Sequence, residues 1–238
     1  FILYLAINSG FDRKPYRHLC VTHVISILSL IISIQTRCHT RLASTKPDGF
    51  APMNNIPTRS PLLMSPYDTA LLVVDVQEKF IPAIHDAHLM VWNCKRLLEA
   101  ADLLGVETAA TEQYPKGLGT TVNPLAEHLQ DIPDKSMFSC RECWPLFEHM
   151  LQSGKRTILI AGIEAHVCIQ QTAFDLLSQG FRVVLAVDAI SSRHPQDKEI
   201  AIERMTSHGC EVTSTESAIF EWCESASHPQ FKALSSIV

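Results

Sequence analysis

From residue 69 onward, short apolar runs alternate with segments in which apolar residues recur every three or four positions. The short runs are typical of strands buried on both faces, and the longer period is typical of helices packed on one side. The pattern predicts strands over 69–76, 106–111, 157–161, 182–187 and 210–213. It predicts helices over 87–104, 121–129, 144–153, 167–179, 196–208 and 217–224. This alternation favours an α/β fold, a three-layer αβα sandwich around a mainly parallel sheet.

Residues 1–66 do not follow the alternation, and we interpret them as an N-terminal extension to a domain over 67–238. Basic residues precede an apolar stretch over 19–34, which several polar residues interrupt. Because a membrane span needs about 20 apolar residues, no stable span is predicted. The stretch is typical of a targeting sequence, and the alternative is an unprocessed or mis-predicted extension. Five prolines among Ser, Thr and Asn predict a disordered linker over 39–66.

Composition narrows the class of protein. The chain has 238 residues, of which 46% are hydrophobic, so it can bury a full core. A formal net charge of −5 argues against nucleic acid as a partner. Eight cysteines are too sparse for a disulfide scaffold and favour a reducing compartment, cytoplasmic or mitochondrial. Cys140 and Cys143 form the one close pair, and without a second pair they are better explained as incidental thiols than as a metal or redox site.

Cys168 is the first candidate for chemistry. It follows the predicted strand over 157–161 and lies in the first turn of the helix predicted over 167–179. Open α/β sheets bind ligands at the carboxyl edge of their strands. Free N–H groups and the positive end of the helix dipole favour a thiolate there. Many core cysteines share this position, so further residues are needed to argue for catalysis.

Asp75 and Lys135 supply the complementary chemistry. Asp75 ends a nearly continuous apolar strand, where an acid is costly unless it is paired or used; the alternatives are a helix cap or a structural salt bridge. Lys135 would be a solvated surface residue unless its polar loop folds over Cys168. A carboxylate can take the thiol proton, an ammonium group stabilises the negative charges, and backbone N–H groups before Cys168 can hold an oxyanion. The three residues together indicate acyl transfer to water, most simply amide hydrolysis.

Three segments resemble the signatures of the isochorismatase-like cysteine hydrolases, a superfamily that includes the nicotinamidases. They are Leu72-Val73-Val74-Asp75-Val76-Gln77, the Pro-Asp-Lys loop over 133–135, and Gly162-Ile163-Glu164-Ala165-His166-Val167-Cys168. Further segments over 111–115, 117–119, 191–193 and 228–232 are similar to the isochorismatase domain-containing protein 2 subgroup. The resemblance covers roughly 67–238, in order and without large gaps.

The resemblance implies a six-stranded parallel sheet and an Asp75–Lys135–Cys168 triad. It also implies a non-proline cis peptide bond before Glu164, which aims the N–H groups of Glu164 and Cys168 at the oxyanion. A small-molecule substrate, no cofactor and a homo-oligomer are expected. The substrate-pocket candidates, for each of which core packing or loop structure is the alternative, are Gln77, Phe80, Gln113, Tyr114 and Phe138.

Two departures from the superfamily narrow the range of expected substrates. Nicotinamidases bind a metal through an Asp-x-His cluster after the second strand, whereas residues 112–117 contain no histidine, so neither a metal nor nicotinamide is expected. Bacterial isochorismatases that cleave a vinyl ether lack the cysteine, so Cys168 argues against isochorismate. We therefore expect cleavage of a small amide or related C–N bond through a Cys168 thioester. The alternative is a non-catalytic binding or redox-regulatory protein on the same scaffold.

Overall fold

The structure, a computed structural model, describes residues 57–238. Six strands form one parallel sheet in the order β3-β2-β1-β4-β5-β6. The strands are β1 (Thr69–Val74), β2 (Glu107–Gln113), β3 (Asp134–Lys135), β4 (Thr157–Ile163), β5 (Arg182–Ser191) and β6 (Glu211–Thr213). The helices are α1 (Ala87–Leu104), α2 (Pro115–Leu118), α3 (Asn123–Ala126), α4 (Trp144–Gln152), α5 (Gln170–Ser178), α6 (Pro195–Ser207), α7 (Thr215–Cys223) and α8 (Phe231–Leu234). The predicted three-layer αβα sandwich with a six-stranded sheet is confirmed.

Two hydrophobic cores lie on opposite faces of the sheet, because successive side chains of a strand point to opposite sides. Along β1, Leu71 and Val73 pack with α1, α7 and α8, whereas Ala70, Leu72 and Val74 pack with α4, α5 and α6. Both faces of the central strands are therefore dry, which explains their nearly continuous apolar sequence.

The carboxyl ends of β1 and β4 lie side by side at the point where the strand order reverses. The chain proceeds from β1 to β2 and β3 in one direction, and from β4 to β5 and β6 in the other. Helices that leave such a point diverge to opposite faces and open a crevice above the strand ends. Asp75 and the turn that carries Cys168 follow these two strands directly.

The domain begins before the boundary predicted at residue 67. Met64 is fully buried in the core with α1 and α7, and Arg59 donates hydrogen bonds to the carbonyls of Met64 and Glu221. Lys155 donates to the carbonyls of Pro66 and Tyr67. The prolines therefore belong to a segment packed on the domain over 57–66, because its polar groups and one large apolar side chain find partners there. The rest of the predicted extension and linker lies outside the described residues.

Several further elements differ from prediction. β3 has only two residues, both charged, so the pattern of apolar residues did not predict it. β5 continues to Ser191 because Asp188, which interrupts the apolar run, accepts hydrogen bonds from Thr215 at the start of α7. The helix predicted over 121–129 is the single turn α3.

Candidate active site

Asp75 is the buried acid at the end of β1. Its backbone has φ of +54°, and its side chain is almost fully enclosed. Oδ1 accepts a hydrogen bond of 2.9 Å from the Thr111 hydroxyl on β2, and Oδ2 accepts one of 2.7 Å from Lys135 Nζ. Burial raises the pKa of Asp75, and the positive charge of Lys135 opposes this rise without cancelling it. The carboxyl group is therefore a stronger proton acceptor than an ordinary aspartate.

Lys135 lies at the end of β3, and pairing of this short strand with β2 directs its side chain over Asp75. No part of the side chain reaches solvent. Besides Asp75, Nζ donates to Gln113 Oε1 at 2.8 Å and to the carbonyl of Phe138 at 3.0 Å, and the carbonyl of Met137 lies 3.3 Å from it. Desolvation lowers the pKa of Lys135, but the nearby negative groups, led by Asp75, more than offset it and raise the pKa. Lys135 therefore stays protonated at neutral pH.

Cys168 lies in a π-helical turn over Ala165–Ile169, immediately before α5. The sequence predicted an ordinary α-helical turn there. The carbonyl of Glu164 accepts hydrogen bonds from the N–H groups of Val167 and Ile169, at 3.1 and 3.2 Å, but not from that of Cys168. The peptide bond between Ile163 and Glu164 is cis. Cys168 is 5% exposed and lies near enough to Asp75 for each group to shift the pKa of the other.

The thiol of Cys168 is not a resting thiolate, which differs from the expectation for a helix start. Burial is the main cause of a strongly raised pKa, and the negative charge of Asp75 adds to it. Lys135 lowers the pKa but does not outweigh these effects. Because desolvation of a thiolate and a neighbouring carboxylate act against the weak field of one helical turn, the proton stays on sulfur until a base removes it.

Two pocket candidates, Gln77 and Gln113, form hydrogen bonds that connect the strands and loops around the site. Gln77 is completely buried; its Oε1 accepts from the N–H of Gln113 at 2.7 Å, and its Nε2 donates to the carbonyls of Gly119 and Gln113. Gln113 Nε2 donates to the carbonyl of Ser136, while its Oε1 accepts from Lys135. The amide groups of both residues are thus engaged with the protein, and they join the ends of β1, β2 and β3.

The aromatic pocket candidates divide into one packed residue and two exposed ones. Phe80 packs against the core from a partly buried position. Tyr114 is 59% exposed, and its ring lies over Gly117 so closely that a Cβ there would come within 2.5 Å. Phe138 is 53% exposed and follows β3. Tyr114 and Phe138 thus present apolar surface after the two strands that carry Gln113 and Lys135.

Sequence reasoning missed the contacts of three side chains at the site, those of Thr111, Glu164 and Arg193. Thr111 orients Asp75, and its Oγ1 lies 3.5 Å from the Sγ atom of Cys140. The carboxylate of Glu164 accepts hydrogen bonds from the backbone N and the Nε of Arg193, both at 3.0 Å. An isolated threonine in a strand gives no signal, whereas the charges of Glu164 and Arg193 within motif segments were a signal that went unused. Within residues 57–238, no cluster of three potential metal ligands occurs, and no helix is long and apolar enough to cross a membrane.

Known proteins are similar to most of this domain. The family profile of the Isochorismatase domain matches residues 69–217. The secreted isochorismatase effector Isc1 of Phytophthora sojae is 35% identical over 179 residues, which cover 73% of this chain and 85% of that protein. Isochorismatase domain-containing protein 2A of Mus musculus is 39% identical over 175 residues, covering 73% of this chain and 84% of the relative. Among solved structures, the MAR1 ribonuclease of Caenorhabditis elegans matches with a TM-score of 0.70 and 39% identity, covering 74% of this chain and 92% of that chain. The predicted resemblance is confirmed.

Proposed function

The chain belongs to the isochorismatase family, and we propose that it is a cysteine hydrolase that cleaves a small amide or related C–N bond. The family relatives support a hydrolase function. One observation carries the finer proposal: the buried carboxylate of Asp75 is contacted by the ammonium group of Lys135 at 2.7 Å and lies near enough to Cys168 for each to shift the pKa of the other. A proton acceptor, a fixed cation and a thiol at the carboxyl edge of the sheet support the roles of base, charge stabiliser and nucleophile that we propose for Asp75, Lys135 and Cys168.

Acylation begins when Cys168 attacks the substrate carbonyl as Asp75 takes the thiol proton. A bond forms between Sγ and the carbonyl carbon, and the carbonyl oxygen becomes an oxyanion held by the N–H groups of Glu164 and Cys168. Proton transfer from Cys168 to Asp75 leaves the total charge of the three residues unchanged. The transfer therefore avoids the large cost of creating new net charge in a buried site.

The intermediate collapses when the C–N bond breaks and Asp75 gives its proton to the leaving amine. The carbonyl carbon is then held as a thioester on Cys168. Asp75, again a carboxylate, takes a proton from water, which attacks the thioester carbonyl. The C–S bond breaks, Asp75 returns a proton to the sulfur, and a carboxylic acid leaves. Lys135 keeps its proton throughout and stabilises whichever group carries the negative charge.

Burial of the triad favours a small substrate. Asp75, Lys135 and Cys168 are each 5% exposed or less, so only a narrow group reaches them. The names of two relatives suggest other substrates, isochorismate and RNA. The presence of Cys168 argues against the vinyl ether of isochorismate. The enclosed triad and the net charge of −5 argue against RNA.

A non-catalytic binding or redox-regulatory protein is the second candidate. Redox-sensing cysteines are accessible thiols with a lowered pKa. Cys168 is buried and its pKa is raised, mainly by that burial, so the site favours base-assisted catalysis over peroxide sensing.

A substrate panel tests the proposal. Aliphatic and aromatic primary amides, isochorismate and a single-stranded RNA are incubated with the parent protein, with Cys168→Ala and with Cys94→Ala, which removes a matched buried thiol on α1. We expect turnover of at least one amide, a loss of roughly 1,000-fold or more in Cys168→Ala, and little change in Cys94→Ala. Hydrolysis of isochorismate or RNA with no amide turnover would reject the proposed bond type. Undiminished activity of Cys168→Ala would reject the nucleophile.

A further inference from the structure

The charged pair Glu164–Arg193 borders the turn that carries the nucleophile. We propose that Arg193 is a positioning residue that neutralises the Glu164 carboxylate and thereby keeps the neighbouring oxyanion site favourable for negative charge. This inference rests on the proposed function, because it concerns the oxyanion formed when Cys168 attacks a carbonyl.

The contact between the two residues joins the ends of β4 and β5. One oxygen of the Glu164 carboxylate, Oε2, accepts from both the backbone N and the side-chain Nε of Arg193, each at 3.0 Å. The Glu164 side chain is 5% exposed, whereas that of Arg193 is 52% exposed. The pair therefore joins a buried anion to a cation that remains in contact with solvent.

A second contact fixes the same turn to the same segment. His166 Nδ1 lies 3.1 Å from the hydroxyl of Ser192, and its Nε2 lies 3.9 Å from Asp197 on α6. The turn therefore has support that does not depend on Arg193. Removal of the Arg193 charge should consequently change the electrostatics of the turn more than its fold.

The position of Glu164 explains why its charge matters. Its backbone N–H is one of the two proposed oxyanion donors, so the residue that would hold the developing negative charge also carries a carboxylate. Two like charges in a poorly solvated site repel strongly, which would offset the benefit of the N–H donors. The guanidinium group of Arg193 cancels this repulsion. Arg193 thus acts through Glu164 and need not touch the substrate.

A charge-rescue experiment separates this role from a structural one. Arg193→Gln, Glu164→Gln and the double variant are compared with the parent for kcat and KM on an amide that the parent hydrolyses. Arg193→Gln should lower kcat by about 10- to 100-fold with KM changed by less than about threefold, because the repulsion acts on the transition state. The double variant should recover at least about tenfold of that loss, because the uncompensated carboxylate is gone. Arg141→Gln is the matched control, since the Arg141 side chain is 58% exposed and pairs with Asp175 on α5, not with a residue of the turn.

A second measurement needs no turnover. Benzaldehyde labelled with ¹³C at the carbonyl carbon should add to Cys168 as a hemithioacetal whose oxygen occupies the oxyanion site, and NMR titration gives its affinity. We expect about tenfold or greater weakening in Arg193→Gln and recovery in the double variant. If the parent forms this adduct but Arg193→Gln binds equally well, or if the double variant is no better than Arg193→Gln, the inference is wrong while the proposed function stands. If the parent neither forms the adduct nor hydrolyses an amide, the proposed function fails and the inference fails with it.

Discussion

The ammonium group of Lys135 lies 2.7 Å from the carboxylate of Asp75, and both side chains are shielded from solvent. The two residues are 60 positions apart in the chain and meet because β1 and β3 both pair with β2. Each charge is stable in this position only because the other is present.

Loss of Lys135 should therefore destabilise the fold as well as abolish catalysis. In Lys135→Met, Asp75 is left as a buried and unpaired acid, and the free energy of unfolding should fall by about 3–5 kcal/mol. The double variant Asp75→Asn/Lys135→Met should regain a large part of that stability and none of the activity. Urea unfolding of both variants checks this. A decrease of less than about 1 kcal/mol in Lys135→Met would show that the pair is not coupled as described.

Gly162 is expected to be irreplaceable because β4 passes very close to β1 there. Its φ is +111°, and an added Cβ would collide with the carbonyl oxygen of Val74 and lie 2.7 Å from the Val74 nitrogen. Gly209 is the matched control, with φ of +105° and no atom within 4 Å of an added Cβ. Gly209→Ala should cost about 1–3 kcal/mol for backbone strain alone. Gly162→Ala should cost at least about 2 kcal/mol more, or should not fold. Equal thermal melting of the two variants would contradict the close packing of β1 and β4.

Stability should fall in alkaline solution because several buried thiols resist ionisation. Burial raises the pKa of Cys94 to about 12, with a smaller effect from Asp188, and burial raises that of Cys210 to about 11. A raised pKa in the folded state means that the stabilisation is complete below the ordinary value near 9.0 and is lost as the pH rises above it. Each such thiol contributes about 1.4 kcal/mol of lost stability per pH unit in that range.

The alkaline effect is measured by urea unfolding between pH 7 and 10.5. The slope for Cys94→Ala should be shallower than the parent's by about 1.4 kcal/mol per pH unit above pH 9. The difference between the two slopes separates the contribution of the Cys94 thiol from those of the lysines and tyrosines that titrate in the same range. Identical slopes for the parent and Cys94→Ala would mean that Cys94 ionises as easily in the folded state as in the unfolded chain.

The sandwich was predictable because its central strands are buried on both faces and their sequences are almost purely apolar. β3 was not, since its two charged residues are positioned by pairing with Glu112 and Gln113 and not by their own pattern. The start of the domain was predicted too late in the chain, because the prolines over 57–66 are typical of a linker. Met64, within this segment, belongs to the hydrophobic core.

The candidate site was predictable in its residue types and not in its electrostatics. Chain position alone suggested an activated thiol at Cys168, but the pKa depends on burial and on Asp75, which only the folded arrangement brings close. Thr111 gives no signal in the sequence, and the charge of Arg193 does not identify its partner, because each contacts a carboxylate far along the chain. The homo-oligomer and the cytoplasmic or mitochondrial location stay predictions.

The central claim is that Cys168 carries the acyl group during turnover, and trapping the acyl-enzyme tests it most directly. The parent is mixed with a saturating amide substrate, quenched in acid during steady-state turnover, digested and examined by mass spectrometry. The peptide containing Cys168 should gain the mass of the acyl group, lose it on treatment with hydroxylamine, and show no gain in Cys168→Ala. Continued substrate hydrolysis by Cys168→Ala, or an acyl group found on another residue, would contradict the account.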